Sequence, residues 1–165
     1  MSNIGKQRIL IPKNVKVNCK AWMLYAKGPY GEACISFPIH TKIIYNDKYL
    51  LLNGDNISPA LYGSLQRKLK ALLYGLSFLY VAHLKLVGVG YRASLENNII
   101  VLRLGFSHDI SISIPKTLKV SVSKRTNLKI TGSNLEELHQ FAYKLRSFRV
   151  PEPFKGKGLV FKSFL

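Results

Sequence analysis

A short pattern that occurs twice constrains the fold of this chain more than any other sequence feature. RILIPKNVKV (residues 8–17) and ISIPKTLKV (112–120) both contain Ile-Pro-Lys followed by Lys-Val, and Ile11 and Ile114 are 103 residues apart. A second short apolar segment follows each copy and ends on glycine. Because this period is too long for a solenoid, the pattern predicts a duplicated domain of about 80 residues.

The second half shows the elements of such a domain most clearly. Isoleucine and serine alternate over residues 110–114, which is typical of a half-buried strand, and a further strand is predicted around Leu128. A helix follows, capped by Ser133 or Asn134, and ends at Pro151. Its apolar stripe recurs at helical spacing: Leu135, Leu138, Phe141, Ala142 and Leu145.

The first half contains comparable elements. IIYNDKYLLL is predicted to be a hairpin that turns at Asn46-Asp47, and a helix begins with Ser58 as its cap and Pro59 in its first turn. The sequence therefore predicts an α+β fold of two similar small domains, residues 1–82 and 83–165. Each is expected to be a mostly antiparallel sheet with one packed helix. The first helix has this apolar side: Leu61, Leu65, Leu69, Leu72, Leu73 and Leu76.

The segment LKLVGVGYRA has the glycine spacing of a dinucleotide-binding turn. Gly88, Gly90 and Ala93 fit G-x-G-x-x-G/A, and Asp109 lies at about the expected distance of ~20 residues. Such a turn must lead into a helix, whose free N–H groups hold the pyrophosphate. Here the turn signal Glu96-Asn97-Asn98 and the β-rich IIVLRL follow instead. We therefore interpret the segment as a β-hairpin with both glycines on one face. A nucleotide-dependent enzyme that uses GVGYRA is the alternative.

Other catalytic or metal-binding patterns are not recognisable in the sequence. The eight acids are scattered, and the four histidines occur singly, without the pairing that zinc needs. Cys19 and Cys34 lack Cys-x-x-Cys spacing. We therefore predict that the chain is not an enzyme and has no catalytic residues, no metal site and no cofactor.

The charge of the chain indicates a polyanionic partner. Lys and Arg total 25 against 8 Asp and Glu, a net charge of +17, and such self-repulsion is unfavourable for an isolated domain. Nucleic acid is favoured over an anionic membrane surface, to which the Leu-rich helix could alternatively bind. The stretch ALLYGLSFLYVA (71–82) is shorter than the ~20 residues of a spanning helix. We predict no membrane span and no homo-oligomer.

Several segments carry a resemblance to a known family. KLVGVGYRA, LRLGFSH and RVPEPFKGKG resemble signature segments of the bacterial-type universal large-subunit ribosomal protein six family, and IGKQRILIPKNVKV and AKGPYGE resemble its first domain. The resemblance implies a non-enzymatic protein of two similar α+β domains. It also implies binding to large-subunit ribosomal RNA near the landing site of translation factors, among neighbouring ribosomal proteins. Asp109 stands where the family usually has proline, and the longer basic tail common in bacterial members has no counterpart after LVFKSFL.

The last 23 residues contain the main candidates for RNA binding. They include six basic residues against a single acid, Glu152. VPEPFKGKG is predicted to be irregular, with the N–H groups of Gly156 and Gly158 open to phosphate oxygens. Phe154 either stacks on a base or packs on its own domain. The candidate RNA-binding residues are Lys144, Arg146, Arg149, Phe154, Lys155, Gly156, Lys157, Gly158, Lys162 and Arg92.

Two further groups of basic residues are weaker candidates. Arg92 and Arg103 flank the central hairpin, where they either support RNA or pair locally. A basic run from Lys116 to Lys129 contains Arg125 and no acid, but it lies on predicted strands and loops where its charges are partly solvated.

The composition bears on the compartment. Lys, Leu, Ile, Asn, Tyr and Phe are abundant and alanine occurs eight times, which indicates an AT-rich coding genome. With no visible import signal and a bacterial-type resemblance, the sequence favours an organelle-encoded protein of the mitochondrial ribosome, in the mitochondrial matrix. A bacterial cytoplasm is the alternative.

Overall fold

The computed structural model describes residues 7–20, 22–38, 41–46, 48–54 and 58–164. Within these ranges the elements are, in chain order, β1 (Ile9–Leu10), β2 (Lys16–Lys20), β3 (Met23–Gly28), β4 (Gly31–Ser36), β5 (Thr41–Tyr45), β6 (Tyr49–Gly54), α1 (Pro59–Ser77), β7 (Tyr80–Val87), β8 (Arg92–Glu96), β9 (Ile99–Arg103), β10 (Ile110–Ser113), β11 (Leu118–Ser123), β12 (Asn127–Gly132), α2 (Leu135–Phe148) and β13 (Gly158–Phe164).

The chain divides into two compact units, Met1–Leu79 and Tyr80–Leu165. The first contains the sheets β1-β6-β5 and β2-β3-β4, and the second contains β11-β12-β7-β13 and β10-β9-β8. The strand pairs of both units are antiparallel. The boundary expected between residues 82 and 83 falls inside β7.

The two units have the same strand topology. The sheet β1-β6-β5 corresponds to β7-β12-β11, the sheet β2-β3-β4 corresponds to β8-β9-β10, and the helix follows the sixth strand in both units. Strand β13 adds a fourth strand to the sheet β11-β12-β7 of the second unit by pairing with β7. The predicted α+β fold of two similar domains from an internal duplication is confirmed. Each unit, however, has two sheets where a single one was expected.

The two Ile-Pro-Lys segments do not lie at equivalent positions of the duplicated domains, so the spacing of 103 residues is not the offset of the duplication. The first copy connects β1 to β2, whereas the second copy connects β10 to β11. The segment equivalent to the second copy is the one around Pro38, between β4 and β5. Strand β4 ends at Ser36 and β10 ends at Ser113, 77 residues later, and the following strands begin at Thr41 and Leu118, again 77 residues apart.

A shared local turn explains why the misleading pattern arose. The carbonyl groups of Pro12, Pro38 and Pro115 each accept a hydrogen bond of 3.0 Å from the N–H group three residues later. Proline has no N–H to offer a ladder, so it is favoured where a strand ends and a turn begins. The repeated Ile-Pro-Lys therefore reports the same turn and not the same position in the duplicated domain.

The helices begin where their capping residues predict. The Ser58 side chain accepts a hydrogen bond from the N–H of Leu61, and the Asn134 side chain accepts one of 3.1 Å from the N–H of Glu136. The cap of α2 is therefore Asn134 rather than Ser133. Four of the five predicted stripe residues of α2 are buried, and Leu138 is 0% exposed. Leu61, expected on the apolar side of α1, is instead 42% exposed.

The glycines of GVGYRA lie in a connection between sheets. Strand β7 ends at Val87 and β8 begins at Arg92 in the other sheet of the unit, so the continuous hairpin predicted here is wrong. Gly90 has φ +78°, which favours glycine, and a Cβ at Gly88 would lie 2.7 Å from the Tyr91 ring. The period-two pattern continued through the connection because the Tyr91 side chain returns to the core.

The hairpin lies immediately after this connection. Strands β8 and β9 pair through a two-residue turn in which Asn97 and Asn98 have φ 41° and 68°, as the primed hairpin turns require. A strand and not a helix therefore follows the glycines, as expected, and the segment lacks the helix N-terminus that a pyrophosphate site needs.

The apolar stretch 71–82 spans two elements. It contains the end of α1 and the start of β7. Within the described ranges, none of the helices combines the length and apolar character needed to cross a membrane.

Candidate nucleic-acid interface

The C-terminal end of α2 presents three of the predicted basic residues. Lys144 is exposed. The Arg146 guanidinium lies 5.3 Å from the centre of the Phe161 ring, and the Arg149 guanidinium lies 5.5 Å from that of Phe106. A cation over an aromatic face is attracted by the ring quadrupole. These contacts orient two of the three charges beside the loop that follows.

The loop 150–157 has no regular secondary structure, as predicted, but it is closed on itself. The Glu152 N–H donates a hydrogen bond of 3.0 Å to the Lys157 carbonyl, and the Gly156 N–H donates one of 2.9 Å to the Glu152 carbonyl. Phe154 is 95% exposed at its tip, so it does not pack on its own domain. Lys155 and Lys157 are exposed on either side of Gly156.

The two glycines of this segment have different surroundings. The N–H of Gly156 is already bonded within the loop, so it is not open to a phosphate oxygen as expected. Gly158 is buried at the start of β13, where a Cβ would lie 2.7 Å from the Pro151 Cα and 2.9 Å from the Arg149 carbonyl oxygen. Gly158 therefore allows close backbone packing, and the exposed lysines are what the loop offers to a ligand.

The chain beyond the loop is part of the domain core. Strand β13 pairs with β7, and Leu159 is 0% exposed. The irregular segment therefore ends at Lys157, and the strand that follows it contributes to the core. The register shifts between Phe161 and Ser163, and Lys162 is exposed at this irregularity.

Arg92 lies apart from the loop in sequence, at the start of β8. It is directly opposite Arg103 on β9. The Arg103 Nε and Nη2 atoms donate hydrogen bonds of 3.0 Å to the two carboxylate oxygens of Asp109. The hydrogen bonds from Arg103 lower the pKa of Asp109 below its ordinary value, and the same pair raises the pKa of Arg103. Of the two basic residues at this hairpin, Arg103 pairs locally.

The pKa of Asp109 gives a direct test of this bidentate pair. Because the folded-state pKa is lowered, the pair stabilises the hairpin above the pKa of the unfolded chain and is lost as the pH falls through the lowered value. We expect the Asp109 carboxyl carbon, followed by NMR, to titrate below an ordinary aspartate in the wild type and to return toward it in Arg103→Gln. An unchanged titration in that variant would contradict the assignment.

Sequence reasoning placed Arg92 and Arg103 at the same hairpin but did not connect them with Arg125. All three line one open pocket with Asp109. A signal for part of this was available, because Arg92 and Arg103 are equally distant from the Asn97-Asn98 turn and must therefore pair across the hairpin. In the part of the chain that the structure describes, no group of three or more His, Cys, Asp or Glu residues could hold a metal ion.

Known proteins match the chain over nearly its whole length. A family profile described as "Ribosomal protein L6" matches residues 87–160. The "Large ribosomal subunit protein uL6" of Mycoplasmoides gallisepticum is 39% identical over 166 residues, which cover 98% of this chain and 91% of that protein. The "uL6m" protein of Reclinomonas americana is 35% identical, with 96% and 92% covered, and the "uL6c" protein of Phaeodactylum tricornutum is 37% identical, with 98% and 93% covered.

Together, the duplicated α+β architecture and these matches define a structural ribosomal protein rather than an enzyme. The chain belongs to the ribosomal protein L6 family. Members of this family are structural, non-enzymatic components of the ribosome, which confirms the prediction that the chain is not an enzyme.

Proposed function

We propose that this structural protein of the large ribosomal subunit binds large-subunit ribosomal RNA through the loop 150–157 and the adjoining end of α2. The observation that carries the proposal is the loop itself. It exposes an aromatic side chain, Phe154, over 95% of its surface, with Lys155 and Lys157 beside it. Neighbouring ribosomal proteins would be the other partners.

The loop chemistry suits an irregular RNA segment. An exposed aromatic ring can stack on an unpaired base, and lysines beside it can contact the flanking phosphates. The two backbone hydrogen bonds within the loop and its two prolines limit the conformations that binding must order. A preorganised loop loses less conformational entropy on binding than a free tail does.

The surrounding charge supports the same partner. Arg146 and Arg149, positioned by aromatic rings, extend the positive surface from the loop onto α2. The net charge of +17 adds long-range attraction to a polyanion. A position near the translation-factor binding region is supported by the resemblance of KLVGVGYRA and RVPEPFKGKG to signature segments of the family.

We expect the full chain to bind large-subunit ribosomal RNA more tightly than small-subunit ribosomal RNA. Non-specific charge attraction alone would not distinguish the two RNAs, so such a preference indicates specific recognition. The test is competition between the two RNAs for labelled large-subunit RNA, across a range of salt concentrations. The proposal requires the preference to persist as salt rises and charge attraction weakens. Equal competition at every salt concentration would contradict it.

We also propose that the ribosome concerned is mitochondrial, with a bacterial ribosome as the alternative. The AT-rich residue usage supports this assignment, and the relatives of the chain include mitochondrial as well as bacterial proteins. Locating the gene on an organelle or a bacterial genome decides between them.

A further inference from the structure

A similar group of three charges, two cations on paired strands and one acid beside the second cation, occurs in both units. In the first unit, Lys16 on β2 lies opposite Lys27 on β3, and Lys27 is opposite Glu32 on β4. Lys27 and Glu32 form an ion pair. We call these three residues the lysine triad.

The second unit carries the same arrangement with arginines. Arg92 on β8 lies opposite Arg103 on β9, and Arg103 forms an ion pair of 3.0 Å with Asp109, just before β10. We call these three residues the arginine triad. In both triads the middle cation is paired with an acid, and the cation on the first strand is left in surplus.

Each triad contains two positive charges and one negative charge. Like charges directly opposite each other on a sheet are destabilising. Each acid compensates one of the two cations in its triad, so one positive charge per triad is uncompensated. An anion bound between the two cations would relieve the remaining repulsion.

The arginine triad has an additional cation. Arg125, in the turn between β11 and β12, lines the same open pocket of about 280 Å³, together with Arg92, Arg103 and Asp109. The Ala93 N–H donates a hydrogen bond of 2.8 Å to the Arg125 carbonyl, which fixes this turn beside Arg92. Among the described residues, neither Arg92 nor Arg125 forms an ion pair with an acid.

We propose that this arginine pocket binds a phosphate group of the RNA backbone, at a site distinct from the loop 150–157. The inference deepens the proposed function and rests on it for the source of the phosphate. Arg92 and Arg125 would each offer planar donors to the phosphate oxygens, which arginine binds in a bidentate manner. Asp109 holds the Arg103 side chain in place and lowers the positive potential of the pocket.

The lysine triad provides a comparison within the same chain. It lines another open pocket, with Tyr25 and Tyr45. An ammonium group is a point charge without the planar fork of arginine. We therefore expect the lysine triad to bind phosphate more weakly than the arginine pocket does.

The test is titration of the full chain with inorganic phosphate at low ionic strength, followed through the arginine side-chain N–H signals by NMR. We expect the Arg92 and Arg125 signals to shift together and saturate. Replacing either residue in Arg92→Gln or Arg125→Gln should weaken binding by about five-fold or more. The substitutions Lys48→Ala and Lys70→Ala, at exposed positions in the first unit, should leave the phosphate response of the Arg92 and Arg125 signals unchanged.

Asp109→Asn is the discriminating variant, and Glu96→Gln is its matched control. Each variant removes one negative charge near the sheet β8-β9-β10. Asp109 lies just before β10 and is paired with Arg103, whereas Glu96 lies at the end of β8 next to the turn, away from Arg92. We expect Asp109→Asn to tighten phosphate binding by about three- to ten-fold and Glu96→Gln by less than about two-fold, since nearby charges act more strongly than distant ones. Equal effects of the two variants would overturn the proposal.

A second titration with a short single-stranded oligouridylate distinguishes RNA phosphate from free phosphate. Shifts of the Arg92 and Arg125 signals would support the RNA backbone as the ligand, provided that the shift of the Arg125 signal is lost in Arg92→Gln. Shifts with inorganic phosphate alone would overturn the RNA assignment. If the pocket fails to respond while the chain still selects large-subunit RNA, this inference fails and the proposed function stands. If the pocket binds phosphate but the chain does not select that RNA, the proposed function fails.

Discussion

Replacing Lys155 and Lys157 together by alanine is expected to lower the salt dependence of ribosomal RNA binding by up to about two charges' worth of slope. Each exposed lysine that neutralises a phosphate releases condensed counterions, so its loss reduces both the affinity and the slope of affinity against salt. The measurement is RNA affinity at several salt concentrations for the wild type and the double variant. Thermal melting should hardly change, because both side chains are exposed on an irregular loop.

The matched control is Lys48→Ala with Lys70→Ala, which removes the same charge from exposed positions in the first unit. This control should retain more of the salt slope than the loop variant does. If the two double variants lose equal slope, the effect belongs to net charge and not to the loop. If the loop variant keeps the full slope, the loop 150–157 does not anchor the RNA.

Leu138→Ala is expected to lower the free energy of unfolding by about 2–5 kcal/mol. Leu138 is 0% exposed and lies within the core of the second unit, so truncation leaves a cavity between α2 and the strands it covers. The loss combines the removed apolar contacts with the cost of that cavity. Chemical denaturation of the two proteins measures the difference.

Leu61→Ala is the control for this substitution. The substitution is the same, and Leu61 also lies in a helix, but its side chain is 42% exposed. We expect a change of less than about 1 kcal/mol, because substitutions at exposed positions are usually small in effect. If both variants lose a similar free energy of unfolding, the burial of Leu138 does not account for its contribution to stability.

Local features of the fold could be predicted because they depend on neighbouring residues. A helix cap needs only a side-chain acceptor within a few residues of the free N–H groups, which is why Ser58 and one of two candidates at the start of α2 were identified. The buried stripe of α2 follows from its helical spacing. The absence of a helix after GVGYRA followed from the turn residues Asn97 and Asn98.

The same local reasoning was wrong where one local structure occurs at different places in the fold. The turn after proline occurs between β1 and β2 and again between β10 and β11, so sequence similarity paired segments that the duplication does not. Alternation of residues across Gly88 and Gly90 resembled one strand, although the chain changes sheets there. A local pattern cannot report which sheet a segment joins.

The sequence by itself determined the α+β class, the family and the irregular basic loop, because these depend on composition and on contiguous segments. Only the tertiary structure decided which strands are equivalent, that β13 completes a sheet with β7, and that Arg92, Arg103 and Arg125 share one pocket. Strand pairing joins residues that are distant in the chain, and its register depends on which apolar faces can be buried together. The energy that selects one pairing among many is therefore a property of the packed domain and not of any one segment.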